Sequence, residues 1–304
     1  MMIFTKKRFF FTAGALCLVL LLMFGGPATA QESKSINIGW TAWSSTEATT
    51  NLVKRILEEK MGYSVKMTLA DIGIMYQGLA EGQIDLMLMA WLPETHKNYH
   101  EKTCGQVMNL GPFYLNARLG WVVPSYIPES ELASIEDLKK PEVAEKLNGQ
   151  IQGIDPGAGL MQLSEKAIEA YGLENYKLVS SSGAGMTAAL SRAVRNEEWV
   201  VVTGWSPHWK FGKWDLRYLE DPKGSLGGLE QVSVLARTGF YQDHPEVVAF
   251  LCRMFLPLED LEAMMLKANE TSYEQAAEEY IEANPERVKY WVTGKLASQK
   301  AKTK

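Results

Sequence analysis

The sequence predicts an α/β protein made of two similar halves with a ligand cleft between them. Three observations carry that prediction. Apolar strands alternate with amphipathic helices along most of the chain. The strands are apolar throughout rather than alternating, as strands covered on both faces are. And a helix, turn, strand and Trp-x-Pro exit occur twice, as "MYQGLAEGQIDLMLMAWLP" and "MTAALSRAVRNEEWVVVTGWSP".

The 304 residues suffice for one large or two ordinary domains, and 46% hydrophobic with 22% charged residues is a globular balance. The N-terminus departs from that balance. Lys6, Lys7 and Arg8 precede an apolar run from about Phe9 to Phe24, and Ala28-Thr29-Ala30 follows. A basic segment, an apolar segment and a small-residue cleavage site read as a signal peptide over residues 1–30, cleaved near Ala30, rather than a retained anchor. Cys17 has Gly14 three residues before it, not the Leu-like residue of a lipid-anchoring signal. No other run approaches the roughly 18 apolar residues of a spanning helix. The mature chain is therefore expected to be a soluble, periplasmic protein. Loss of the three leader cations takes the formal charge from −5 to −8, which argues against nucleic acid or an anionic membrane as partner. Cys104 and Cys252 remain; an oxidising compartment permits a disulfide between them, and their spacing leaves the question open.

The elements follow in order. "SINIGWTAW" is a strand ending near Thr41, with Ile36, Ile38 and Trp40 on one parity, which makes Trp40 a core residue. Ser44 and Glu47 form a capping box for a helix whose apolar stripe runs Ala48, Leu52, Val53, Ile56, Leu57 and which Gly62 ends. "SVKMTLA" is a strand, "IMYQGLAEG" a helix and "IDLMLMA" a third strand. A second series begins near Leu119: "LGWVVP" as strand, "SIEDLKKPEVAEKL" as helix and "GQIQGID" as strand. "GLMQLSEKAIEAYG" then reads as helix, "YKLVSSS" as strand, "MTAALSRAVRN" as helix and "EWVVVTG" as strand. "EQVSVLAR" adds one strand after Gly228, and three helical stretches run from His244 to Val292. The halves are expected to be residues 31–117 with 229–295, and residues 118–228. Residues 296–304 are expected to be a disordered tail.

The two exits carry the chemistry. Trp91 and Trp205 each end an apolar strand, two residues before Pro93 and Pro207. The carboxyl ends of strands in open α/β sheets are where ligands bind. Trp43 lies past the end of the first strand, at the same rim. Three tryptophans there suit a quaternary ammonium. That cation has no N–H to donate, so indole faces select it at roughly 0.5–2 kcal/mol per ring. The other pole is "DPGAGL". Asp155 to Gly159 form a tight turn into a helix at about Leu160, whose first N–H groups, from Gly159, Leu160 and Met161, suit an anion. His96 is placed to add a donor to the same carboxylate. The turn has neither G-x-G-x-x-G nor Walker spacing, so no nucleotide site is read. His208 and Trp209 beside Trp205 read as support, and Trp121, Trp199, Trp214 and Trp291 as packing.

Together "INIGWTAW", "AWLPETH", "DPGAGLM" and "TGWSPHW" resemble the OpuAC/ProX-type glycine betaine-binding proteins of ABC transporters, over roughly residues 35–293. The resemblance implies a two-lobed periplasmic-binding-protein fold. It implies a prism of Trp43, Trp91 and Trp205, and carboxylate contacts from the Gly159 and Leu160 N–H groups and His96. Ala158 stands where some relatives carry a tryptophan, so Trp43 supplies the third wall. The implied role is capture of glycine betaine or a related osmolyte and delivery to a membrane permease, by a monomer with no cofactor or metal. The alternatives are a receptor for choline, carnitine or another betaine, or a sensor subunit of the same fold. Choline leaves the Gly-turn and His96 idle. An exported enzyme is disfavoured, because no G-x-S-x-G, H-E-x-x-H or metal-spaced Cys/His set is present.

Overall fold

The computed structural model describes residues 1–2 and 34–296. Residues 3–30 of the expected signal peptide and residues 297–304 of the expected tail lie outside the described residues. Among the described residues no helix is long and apolar enough to cross a membrane.

The first series folds as β1 (Ser35–Trp40), α1 (Ser44–Met61), β2 (Ser64–Leu69), α2 (Ile72–Ala80), β3 (Leu86–Leu92) and α3 (Lys97–Thr103). β1 pairs in parallel with both β2 and β3, and β3 is buried along its whole length. Gly62 closes α1 in the left-handed conformation, at φ 71°, where a residue without Cβ costs little. The other end of α1 differs from expectation. Trp43, not Ser44, is the N-cap; its carbonyl accepts the Glu47 N–H at 2.9 Å and its side chain makes no cap. The extended φ/ψ of the cap falls on the tryptophan, so Ser44 is already helical and its buried Oγ has no partner.

β4 (Val107–Pro124) is three times the length of the strand expected to start at Leu119. Its residues 107–118 pair antiparallel with β9 (Leu229–Arg237), and its residues 118–124 pair with β7 (Val202–Ser206) and β8 (Leu216–Tyr218). One strand thus runs through both halves of the sheet, whose order is β2-β1-β3-β9-β4-β7, followed by the strands Gln150–Gln152 and Lys177–Val179. A 3₁₀ turn at Ile135–Lys139 and α4 (Pro141–Lys146) replace the expected continuous helix. Lys140 is extended because it precedes Pro141. β5 (Gln150–Gln152), α5 (Gly159–Tyr171), β6 (Lys177–Val179) and α6 (Gly183–Asn196) complete a second parallel set with β7. The short α7 (Lys210–Lys213) lies between β7 and β8.

After β9 come α8 (Phe240–Asp243), α9 (Pro245–Arg253), α10 (Leu258–Glu270), α11 (Tyr273–Ala283) and α12 (Pro285–Thr293). Four helices, not three, thus occupy Pro245–Thr293. Ser272 caps α11 through the Gln275 N–H, and Pro285 opens α12. α10 and α11 pack back on α1, so the C-terminal part returns to the first half. One core runs from β1–β3 and these helices to the cleft. A second lies around Trp121, Ile135, Ile151 and Tyr171. Trp40, expected in the core, is only half-buried at the end of β1. Cys104 and Cys252 are both exposed free thiols.

Candidate ligand-binding site

All six residues singled out from the sequence line one pocket, where the two halves of the sheet meet. Trp43, Trp91 and His96 come from the first half; Trp205, Gly159 and Leu160 come from the second. None of the lining residues carries a charge. The three indoles are 8%, 3% and 4% exposed for Trp43, Trp91 and Trp205, so the cage walls are largely desolvated.

Each wall is held from behind. Trp91 lies opposite Val232 in the β3–β9 ladder and meets the Tyr114 ring edge-on at 6.5 Å. Trp205 lies opposite Leu119 of β4, and the His208 ring meets it edge-on at 4.7 Å. Both tryptophans lead into a cis peptide bond, at Leu92–Pro93 and Ser206–Pro207. Trp43 hangs from the start of α1. Its indole N–H crosses to the other half and donates to Asp155 Oδ2 at 3.0 Å. A Cβ built on Gly183, at the start of α6, would touch Trp43 and Trp205 at 4.0 and 3.9 Å. Indoles from opposite halves therefore meet at one point. Trp209 does not line the cavity; it is packed between the His208 and Trp214 rings.

The polar groups at the cavity are few and directional. The Trp91 N–H points at His96 Nδ1 at 3.2 Å, so that nitrogen carries the lone pair and Nε2 carries the proton. Nε2 is buried and has no partner among the described residues. Burial drives the His96 pKa down to about 3. The ring is thus a neutral donor at physiological pH. Tyr76 meets it edge-on at 5.8 Å and stacks on Tyr99 at 5.6 Å, which fixes its plane. At the head of α5 the Met161 N–H turns back to the Ala158 carbonyl at 3.0 Å. The expected set of three N–H groups is therefore reduced to those of Gly159 and Leu160, which find no acceptor among the described residues. Gly159 could carry no side chain: a Cβ there would lie 2.1 Å from the Thr95 carbonyl oxygen.

Two contributors escaped the sequence reading. Thr95 lines the cavity beside His96. Glu230, buried on β9, accepts the N–H groups of Glu94 and Thr95 on one oxygen at 3.1 and 2.8 Å, and so fixes the loop between Trp91 and His96. Burial raises its pKa, and these N–H bonds oppose the rise. A single glutamate in an apolar strand more than 130 residues from that loop offers no local signal.

The comparisons with known proteins bear on this geometry. Residues 34–283 match the family model described as the substrate-binding domain of ABC-type glycine betaine transport systems. The chain belongs to this family. It is a transport family, not an enzyme family. The chain is 39% identical over 158 residues to the glycine betaine/carnitine transport binding protein GbuC of Listeria monocytogenes. That alignment spans 51% of this chain and about half, 53%, of the curated relative. Among solved structures it is similar to lactococcal OpuAC in its closed, liganded conformation with glycine betaine. The identity is 38%, the TM-score 0.80, and the match covers 86% of this chain and all of that one. It is likewise similar to the glycine/betaine/L-proline-binding protein ProX of Borrelia burgdorferi, at 36% identity and TM-score 0.80, over 85% and 97% of the two chains. The two-lobed fold of these binding proteins is the fold of this chain.

Proposed function

We propose that the protein captures glycine betaine, or a betaine of similar size, and hands it to the permease of an ABC transporter. One observation carries the reading. Three indoles and three unspent N–H donors, on His96, Gly159 and Leu160, line the same uncharged cavity. Indole faces take a cation that has no hydrogen to give; N–H donors take a carboxylate. A betaine carries both on one small molecule. Trp43, Trp91 and Trp205 form the cation cage, and His96 Nε2 with the Gly159 and Leu160 N–H groups holds the carboxylate. Choline would leave those donors unpaired at a cost of about 1–3 kcal/mol each, which places it and other ligands without a carboxylate below betaines. The lobes divide at residues 117/118 and 228/229, a reading supported by the change of β4 pairing partner at Arg118 and the start of β9 at Leu229. The protein acts in the periplasm after loss of a leader cleaved near Ala30, as a monomer, without catalysis, cofactor or nucleic-acid partner.

Methyl number tests the reading. Glycine and glycine betaine share the carboxylate and differ at the cation. A primary ammonium moved between indole faces loses its water and finds no acceptor, a cost of several kcal/mol. Affinity should fall from trimethyl to dimethyl to monomethyl to glycine, with glycine not bound at millimolar concentration. Competition titration of the four compounds decides it. Equal competition by glycine or sarcosine would overturn the quaternary-ammonium reading.

A further inference from the structure

We propose that Asp155 is a specificity-determining residue: through the Trp43 indole N–H it makes that wall of the cage more negative and so selects for positive charge, not merely for shape. The inference rests on the betaine reading of the cavity and goes beyond it, because Asp155 does not line that cavity.

The observations are these. Trp43 is the wall whose ring nitrogen bonds to a carboxylate, at 3.0 Å. Trp205, by contrast, has the ammonium of the fully buried Lys210 over its ring at 4.5 Å. No ion pair reaches that lysine among the described residues, and burial without a counter-charge pulls it toward the neutral form. The negative charge next to the cage is therefore at Trp43. A hydrogen bond to an ionised acceptor is stronger than a neutral one and polarises its donor. When the donor is an indole N–H, electron density moves from N–H toward the ring, and the ring face is what meets the cation. The carboxylate itself adds attraction through a low-dielectric wall without occupying the cavity, where it would repel the ligand's own carboxylate. Asp155 is also the first residue of the turn that ends in Gly159, so the element offered to the ligand's anion tunes the wall offered to its cation.

A neutral isostere separates charge from shape. Glycine betaine and 3,3-dimethylbutanoate have the same carboxylate and nearly the same outline; one has nitrogen and a positive charge where the other has carbon. Calorimetry of both ligands on the wild type and on Asp155→Asn gives the ratio of their affinities. Asparagine keeps an oxygen acceptor for the indole and removes the charge. The ratio favouring betaine should fall about fivefold or more in the variant, with 3,3-dimethylbutanoate binding changed by less than about twofold. In a Trp43→Phe background, which has a ring but no N–H, Asp155→Asn should move the ratio by less than about twofold. Asp155→Ser serves in place of Asn if the latter fails to fold. Equal losses for both ligands would make Asp155 a closing contact only and overturn the proposal. A wild type that does not bind betaine at all would overturn the cavity reading, and this proposal with it.

Discussion

Trp91 and Trp205 stand at the same step of two similar strand–exit units, and each is backed by an aromatic ring set edge-on. Each presents one desolvated face to the cavity, the setting in which a cation–π contact approaches 2 kcal/mol or more. Trp91→Ala and Trp205→Ala are each expected to weaken betaine binding at least about tenfold, read by calorimetry on variants whose circular dichroism is unchanged. His96 makes a prediction of a different kind. In the unfolded chain its ring titrates near 6.5; in the fold, burial holds it near 3. Between these values the unfolded state binds the extra proton, so the native state loses stability as pH falls from 6.5 toward 3. At pH 5 that amounts to about 2 kcal/mol, at about 1.4 per unit. The advantage of wild type over His96→Gln in urea unfolding should shrink by this amount between pH 7 and pH 5. The buried Glu230 shifts in the opposite sense, which is why the difference between variants, not the raw curve, is the measurement. A constant difference would mean that the ring is charged in the fold and the donor assignment wrong. Within the same range betaine affinity should stay flat, since no lining group changes charge.

The turn from Asp155 into α5 shows how an element rather than a side chain makes the anion pole. Gly159 faces the Thr95 carbonyl so closely that a methyl group would sit at 2.1 Å, while the nearest atom to a Cβ on Gly157 is 4.0 Å away. Gly159→Ala should cost at least about a hundredfold in betaine affinity, because backbone must move apart at the place where α5 meets the ligand. Gly157→Ala should cost less than about threefold. Titration of the pair checks this; equal effects would show that the turn, not the close approach, matters. This element was legible in the sequence, as were the three tryptophans, because Pro and Gly mark chain exits whatever the surroundings. What escaped is long-range or locally broken. The first half of β4 hides behind Pro112, the left-handed Gly111 and Asn116, and three register shifts against β9, so its pattern has no period of two. The cap on Trp43 escaped because Ser44 and Glu47 have the right spacing for a box, and only the tertiary position of Trp43 moves the helix start back by one. Glu230 escaped because its partners are backbone N–H groups supplied by a distant loop.

At the scale of the molecule the cavity raises a problem of access. Its indoles are almost wholly covered, so a betaine would reach them more easily if the halves part and return. The chain passes between them at β4 and on the way into β9, and the paired segment carries the register shifts, which makes it the place that can flex. Among the described residues, the hydrogen bonds across the cleft outside the cavity are few. Besides Trp43–Asp155, the Tyr99 hydroxyl donates to the Gly157 carbonyl at 2.7 Å and accepts from Gln162 Nε2 at 3.0 Å, and Asn98 Nδ2 donates to Gln162 Oε1 at 3.1 Å. Exposed or half-exposed bonds of this kind contribute about 1 kcal/mol each, too little to hold the halves shut by themselves against the freedom of an open form. The ligand supplies the rest, since its cation needs indoles from both halves and its carboxylate needs both His96 and α5, and it shifts the equilibrium only by that difference in affinity. Small-angle scattering should therefore give a smaller radius of gyration with saturating betaine than without. Tyr99→Phe removes the hydroxyl's two closing bonds, keeps the ring and leaves the cavity lining unchanged. Betaine affinity should fall about tenfold or more, while the saturated radius equals that of wild type, because excess ligand makes up the loss. An unchanged radius on ligand addition, with binding confirmed by calorimetry, would mean that the closed form prevails without ligand. The hydrogen bonds across the cleft would then be worth more than their exposure allows.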